Sequence, residues 1–231
     1  MEFQTVLPRY REAFLRLFYP SQCSSCNTLL EIEERGLCLP CLRKLQKLRL
    51  FPSEERIRIN LSHGDEGWAI FRYQDAIKEI FHQIKFHRRR DLLRLFSEEV
   101  SAFFARRPHL AEVDCVLPIP LDARRRLERE FNQSGIIAAG IRKILRKKIE
   151  ERTLLKTRTT LPQSLLGRAD RRLNLDHVFR VSRPAQIRGK SILLVDDIFT
   201  TGSTLEQAAK TLKAAGASRV TYFVLARTLA N

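Results

Sequence analysis

No apolar stretch in this chain approaches the ~20 residues that a membrane-spanning helix needs. Residues 1–19 carry Glu2, Arg9, Arg11, Glu12 and Arg16, so they lack the unbroken apolar core of a secretory signal peptide. A cytoplasmic location is therefore expected. Neither an internal repeat nor a low-complexity tract is present. His63, His82, His87, His109 and His177 show no metal-ligand spacing, and no nucleophile motif is recognisable. Acidic residues are in deficit, 26 against 42 lysines and arginines, which leaves a formal net charge of +16. Such a field attracts polyanions and speeds their association. Basic clusters occur at His87-Arg88-Arg89-Arg90, at Arg124-Arg125-Arg126 and from Arg142 to Lys148. They suit nucleic acid, single-stranded DNA included, or a merely solvated surface, because composition supplies attraction without specificity. Phe86 beside Arg88, and Phe103 and Phe104 near Arg106, could stack on bases or belong to the core.

What is present is concentrated near the carboxyl end. Ile192-Leu193-Leu194-Val195 runs into Asp196-Asp197, then Ile198-Phe199-Thr200-Thr201-Gly202-Ser203-Thr204. The apolar run reads as a buried parallel strand. Ser203-Thr204-Leu205-Glu206 fits a capping box, so a helix is expected to begin there. A strand, a short loop and a helix N-terminus make a site for phosphate, with backbone N–H groups and the positive helix end facing the anion. Gly202 allows close backbone approach, and the Thr and Ser hydroxyls add donors. Asp196 and Asp197 fall at the strand's carboxyl end, where open α/β sheets bind ligands. An anion-binding loop beside paired acids suits a sugar phosphate: the loop takes the phosphate and the carboxylates accept from sugar hydroxyls. No Gly-Lys pair follows the glycine, which separates the segment from a Walker loop.

Cys23, Cys26, Cys38 and Cys41 form two Cys-x-x-Cys pairs. Each pair can offer two thiolates from one tight turn, and two such turns make a closed tetrahedral site, the pattern of structural zinc. The metal would also supply folding energy, since Leu29, Leu30 and Leu37 make a thin core. A disulfide framework conflicts with the missing signal peptide. Cys115 lies in the apolar stretch Val113 to Ile119 and reads as a buried thiol.

Elsewhere the pattern predicts strands over Trp68–Tyr73, Val113–Ile119, Lys190–Val195 and Arg219–Leu225. Helices are predicted over Asp75–Phe86, Asp91–Phe104, Phe131–Leu145 and Thr204–Ala214. In the Phe131–Leu145 helix, Ile136, Ile137, Ile141, Ile144 and Leu145 are expected inward. Gly216 fits a helix C-cap. Alternating strands and helices imply an α/β fold with a mostly parallel sheet. The expected organisation is an amino-terminal helix and four-cysteine zinc-binding module at 1–50, a linker at 51–66 and the main domain at 67–231.

The segment 192–204 resembles the phosphoribosyl pyrophosphate (PRPP) signature of type I phosphoribosyltransferases. Leu117-Pro118-Ile119-Pro120, Arg124, Arg129-Glu130-Phe131-Asn132-Gln133, Thr160-x-x-Gln163, Arg171-x-x-Asn174 and Phe179 extend the likeness. Together with the amino-terminal cysteines they resemble the ComF family over nearly the whole chain. The resemblance implies a type I phosphoribosyltransferase-like sheet flanked by helices, with a zinc-ribbon-like amino-terminal module. It implies that Asp196 and Asp197 hold the ribose, that Thr200, Thr201, Gly202, Ser203 and Thr204 bind the 5′-phosphate, and that Mg²⁺ bridges pyrophosphate and ribose. Arg124, Arg125 and Arg126 could neutralise departing pyrophosphate or form a solvated turn. Asn132, Gln133, Gln163, Arg171 and Asn174 shape an acceptor pocket or tie loops together. Lys85 could reach an anion or snorkel at the surface. The family implies a role in DNA uptake alongside the uptake machinery. Phosphoribosyl transfer to an acceptor, single-strand binding on a non-catalytic scaffold and PRPP sensing without turnover stand as readings. A homodimer is common in the superfamily. Glu130 replaces the family's glycine, so a positive φ there would strain the turn by about 1 kcal/mol or more.

Overall fold

The structure is a computed structural model that describes residues 21–57, 62–157 and 178–229. Thr160, Gln163, Arg171 and Asn174 lie outside the described residues.

Two Cys-x-x-Cys turns open the described chain and lead into α1 (Leu39–Lys47). Strand β1 (Glu66–Arg72) and helix α2 (Asp75–Phe86) follow. The stretch expected as one helix over Asp91–Phe104 divides into a 3₁₀ segment, Arg90–Phe96, and α3 (Ser97–Ala105). The tighter 3₁₀ turn lets Leu92, Leu93 and Phe96 all reach the core. After β2 (Cys115–Pro118) come α4 (Ala123–Arg129) and α5 (Gln133–Leu145). Short strands β3 (Lys148–Ile149), β4 (Leu154–Lys156) and β5 (Phe179–Val181) precede the final unit. That unit is β6 (Ser191–Phe199), α6 (Ser203–Ala214) and β7 (Arg219–Arg227).

The main sheet has the order β1-β7-β6-β2-β3, and every neighbouring pair is parallel. β4 and β5 pair antiparallel as a separate ribbon. Central strand β6 is buried on both faces, and its side chains alternate between two cores. Leu193 and Val195 pack with α2, α3, α5 and the cysteine module. Ile192 and Leu194 pack with Leu205, Ala208, Ala209 and Leu212 of α6 and with the β4–β5 ribbon. The expected Gly216 cap is present: its φ is +97° and its N–H donates to Lys213 O. Ile137 and Ile141 point inward, but Ile136 and Ile144 are 36% and 38% exposed. They sit on the flank of the helix, where only its central stripe meets the sheet.

Residues 48–57 run antiparallel along the outer edge of β1. Leu50 N–H donates to Ile70 O, Ile57 N–H to Gly67 O, and Arg72 N–H to Leu48 O. This covers a strand edge that would otherwise present unpaired backbone groups.

The connection leaving β2 moves outward to β3, whereas the one leaving β6 moves the other way to β7. The carboxyl ends of β2 and β6 therefore flank a topological switch point, which leaves a crevice there.

Candidate ribose-phosphate site

The crevice is a cleft of about 260 Å³ lined by residues from both strand ends. Asp196 and Asp197 form its base, within β6 rather than beyond it. Asp196 Oδ1 accepts from Ser134 Oγ at 2.7 Å and from the Asp197 N–H at 2.9 Å. Burial, then the charge of Asp197, pushes the Asp196 carboxyl up to about 7, against the opposing pull of Ser134, the Asp197 N–H and Lys85. Asp197 is buried, and its Oδ2 meets Lys85 Nζ at 2.7 Å. Lys85 thus lines the cleft against Asp197 and does not snorkel at the surface.

Thr200 and Thr204 line the cleft, and Thr201, Gly202 and Ser203 complete the loop between them. Gly202 has φ +76°, and a Cβ there would fall 2.5 Å from the Phe199 ring. The turn therefore requires glycine on both counts. The expected capping box is absent. Gly202, which has no side chain, takes the cap position of α6. Glu206 is held elsewhere: its carboxylate accepts from Ser62 N–H and His63 N–H, each at 3.0 Å, and from Tyr222 Oη–H at 2.6 Å. No side chain at the cap position closes α6, although the Ser203 N–H meets Thr201 Oγ1 at 3.5 Å; the positive end of the helix favours an anion at this loop.

Cations occupy the rest of the lining. The Lys156 side chain from β4 is 8% exposed, its Nζ lies 3.7 Å from buried Asp122, and its ammonium is pulled downward by burial and then by Arg125. Arg129 is likewise lowered by burial and Arg125. Gln133 is 1% exposed and lines the cleft, and its Nε2 has no hydrogen-bond partner among the described residues. Sequence reasoning did not single out Ser134, Lys156 or Arg129 as site residues. Lys156 comes from a ribbon distant in sequence, which no local pattern signals.

Arg124, Arg125 and Arg126, read as a possible solvated turn, lie instead in helix α4, capped by Asp122, whose carboxylate accepts from Arg125 N–H at 2.9 Å. Arg124 falls in its first turn. Arg125 lines the cleft, whereas Arg126 faces a larger neighbouring one of about 850 Å³. Asn132 lines that second cleft as well, and its Nδ2 donates to Ile119 O. Phe103 and Phe104 are core residues, and Phe86 is exposed.

The Sγ atoms of Cys23, Cys26, Cys38 and Cys41 all lie within 4.8 Å of one another, and those of Cys26 and Cys38 are 3.6 Å apart. A tetrahedral site with metal–sulfur bonds of ~2.3 Å has edges of about 3.8 Å. The cluster can therefore hold a metal ion. All five cysteines are free thiols.

The phosphoribosyl transferase domain family matches residues 144–231. DNA utilization protein YhgH of Salmonella typhi is 31% identical, over 92% of this chain and all of the relative. Competence protein ComFC of Streptococcus pneumoniae is 32% identical, over 89% of this chain and 87% of the relative. The chain belongs to the ComF family. Among solved structures, adenine phosphoribosyltransferase from Saccharomyces cerevisiae is 14% identical with a TM-score of 0.43, covering 81% of this chain and 88% of that one. No helix among the described residues of this ComF-family protein is long and apolar enough to cross a membrane.

Proposed function

We propose that this protein binds PRPP, or a related ribose phosphate, together with Mg²⁺ in the β2–β6 crevice, and that it serves DNA uptake and use. The observation that carries the ligand is the Thr200–Thr204 loop leading into the N-terminus of α6, set directly after two strand-end carboxylates in one cleft. In this reading residues 200–204 take the 5′-phosphate and Asp196 and Asp197 accept from ribose hydroxyls. Arg125, Arg129 and Lys156 hold the pyrophosphate, and the free Nε2 of Gln133 donates to it. Paired carboxylate oxygens fit Mg²⁺, which is bound through one or two carboxylates plus substrate phosphates. When bound, it would neutralise diphosphate charge. The same arrangement supports phosphoribosyl transfer, because that reaction needs charge stabilisation at the leaving group more than a covalent nucleophile. The role in DNA rests on the names of the relatives. For the four thiols we assign structural Zn²⁺, since four protein ligands close the coordination sphere.

Calorimetric titration of zinc-loaded protein with PRPP and Mg²⁺ tests this reading. Binding is expected for the wild type and its loss in Asp196→Ala/Asp197→Ala. Pyrophosphate release with a supplied acceptor would separate an enzyme from a PRPP sensor. A folded wild type that binds neither PRPP nor ribose 5-phosphate removes the reading.

The second cleft favours an additional reading as a single-strand binding surface. Arg126, Arg152 and Arg183 line it with Phe131, and none of the three arginines makes an ion pair among the described residues. Affinity for a labelled oligonucleotide is expected to fall steeply with salt, and each Arg→Ala change to reduce the log–log slope by about 1. Absence of binding even at low salt would rule this out.

A further inference from the structure

Lys85 is the next-to-last residue of α2, a position where a lysine ordinarily reaches solvent. Here its side chain is only 19% exposed, and Nζ lies 2.7 Å from Asp197 Oδ2, whose own side chain is 12% exposed. The ammonium also sits 5.4 Å from the centre of the Phe81 ring. The site's other cations are engaged differently, since Lys156 and Arg125 lie near Asp122. Asp196 Oδ1 is taken by Ser134 and the Asp197 N–H. Among the described residues, Lys85 is thus the cation in ion-pair contact with the acid pair, and it sits on Asp197 Oδ2, an oxygen that a divalent cation could otherwise use.

We propose that Lys85 is a built-in stand-in for the divalent cation, closing the acid pair to free metal and yielding only to metal that arrives on a ribose phosphate. The idea rests on the ribose-phosphate reading of this cleft. A free divalent ion entering here meets an ammonium already in place, and arginine and lysine charges nearby, so like-charge repulsion opposes it. A metal–diphosphate complex carries net negative charge. Its phosphates give the site's cations new partners, and Lys85 can leave Asp197 while keeping its contact with the Phe81 ring. The consequence is ordered loading: no metal before substrate. The exchange swaps one cation for another and breaks no covalent bond.

The test uses full-length, zinc-loaded protein and Mn²⁺ as the probe, followed by electron paramagnetic resonance without other ligand. Wild type is expected to bind free Mn²⁺ weakly. Lys85→Met is expected to bind it at least about tenfold more tightly. Adding Asp197→Asn to Lys85→Met should abolish the gain, and Lys85→Arg should behave as wild type. Lys85→Gln serves if Lys85→Met does not fold. Equal Mn²⁺ affinity in the wild type and a folded neutral variant overturns the proposal, and so does a gain that survives Asp197→Asn. Calorimetry of the wild type with PRPP and Mg²⁺ runs alongside. Wild-type binding without any Mn²⁺ gain in the variants defeats the counter-ion role alone. No ribose-phosphate binding by folded wild type defeats the site itself.

Discussion

Asp196 shows at the scale of one residue how a buried acid in the cleft strains against its own fold. Its carboxyl rises to about 7 because burial, and then Asp197, disfavour its charge. The ordinary value in an unfolded chain is about 3.9. Between these values the native state keeps a proton that the unfolded state has released. Stability therefore declines as pH rises from about 4 to about 7, and the penalty is complete above that. Asn at this position keeps an oxygen for Ser134 Oγ and the Asp197 N–H and has no charge to desolvate. Asp196→Asn is expected to stabilise the ligand-free protein by roughly 1–3 kcal/mol at pH 8 and by little at pH 4. Urea unfolding at the two pH values measures this, and a gain independent of pH would contradict the stated cause. Cys115 shows the opposite use of burial. Its thiol is pushed up to about 11 by the core around it, which makes it an inert packing residue.

At the scale of elements, the turn between α4 and α5 carries the departure from the family pattern. Glu130 has φ +62°, the left-handed conformation that glycine adopts freely. Its side chain is 59% exposed and pairs with Arg88 at 2.5 Å, so the acid reaches outward and lines the second cleft rather than the ribose-phosphate one. The strain costs about 1 kcal/mol, and an ion pair this exposed offsets between nothing and that amount. Glu130→Gly is accordingly expected to change stability by less than about 1 kcal/mol, in the stabilising direction, and to leave PRPP affinity unchanged. Thermal unfolding and calorimetry read both. A large loss of affinity would mean that this turn acts on the ligand. The loop before α6 obeys the same physics with the other outcome, because Gly202 has no room for any side chain.

Across the whole molecule, the cysteine module is part of the main core. Cys23, Leu37, Cys38, Cys41 and Leu45 belong to the same apolar cluster as Ile70, Phe71, Leu92, Val195 and Phe223. Gly36 packs against Leu92 so closely that a Cβ would fall 2.8 Å from it. Metal removal should therefore loosen more than the two cysteine turns. Chelation, or Cys41→Ser, is expected to lower the melting temperature of a single cooperative transition by about 5 °C or more, which is a few kcal/mol at this chain length. Differential scanning calorimetry checks it. A separate small transition, with the main one unmoved, would show that the module folds independently of the sheet.

Local order in the sequence determined the parallel α/β class, the strand–loop–helix unit around Asp196 and Gly202 and the four-cysteine cluster. Each depends on neighbours a few residues apart, and periodicity or spacing registers such neighbours directly. Hydroxyl and acidic residues in the first helical turn, by contrast, signalled a capping box that does not form. Glu206 instead accepts from Tyr222 of the neighbouring strand and from the backbone at 62–63, and neither partner is close in sequence. The occupants of the cleft were decided the same way. Lys85 arrives from α2, Ser134 from α5 and Lys156 from β4, brought together only because β2 and β6 send their connections in opposite directions. Sheet order is a long-range property, so the switch point and the charge balance of the site exist only once the chain has folded.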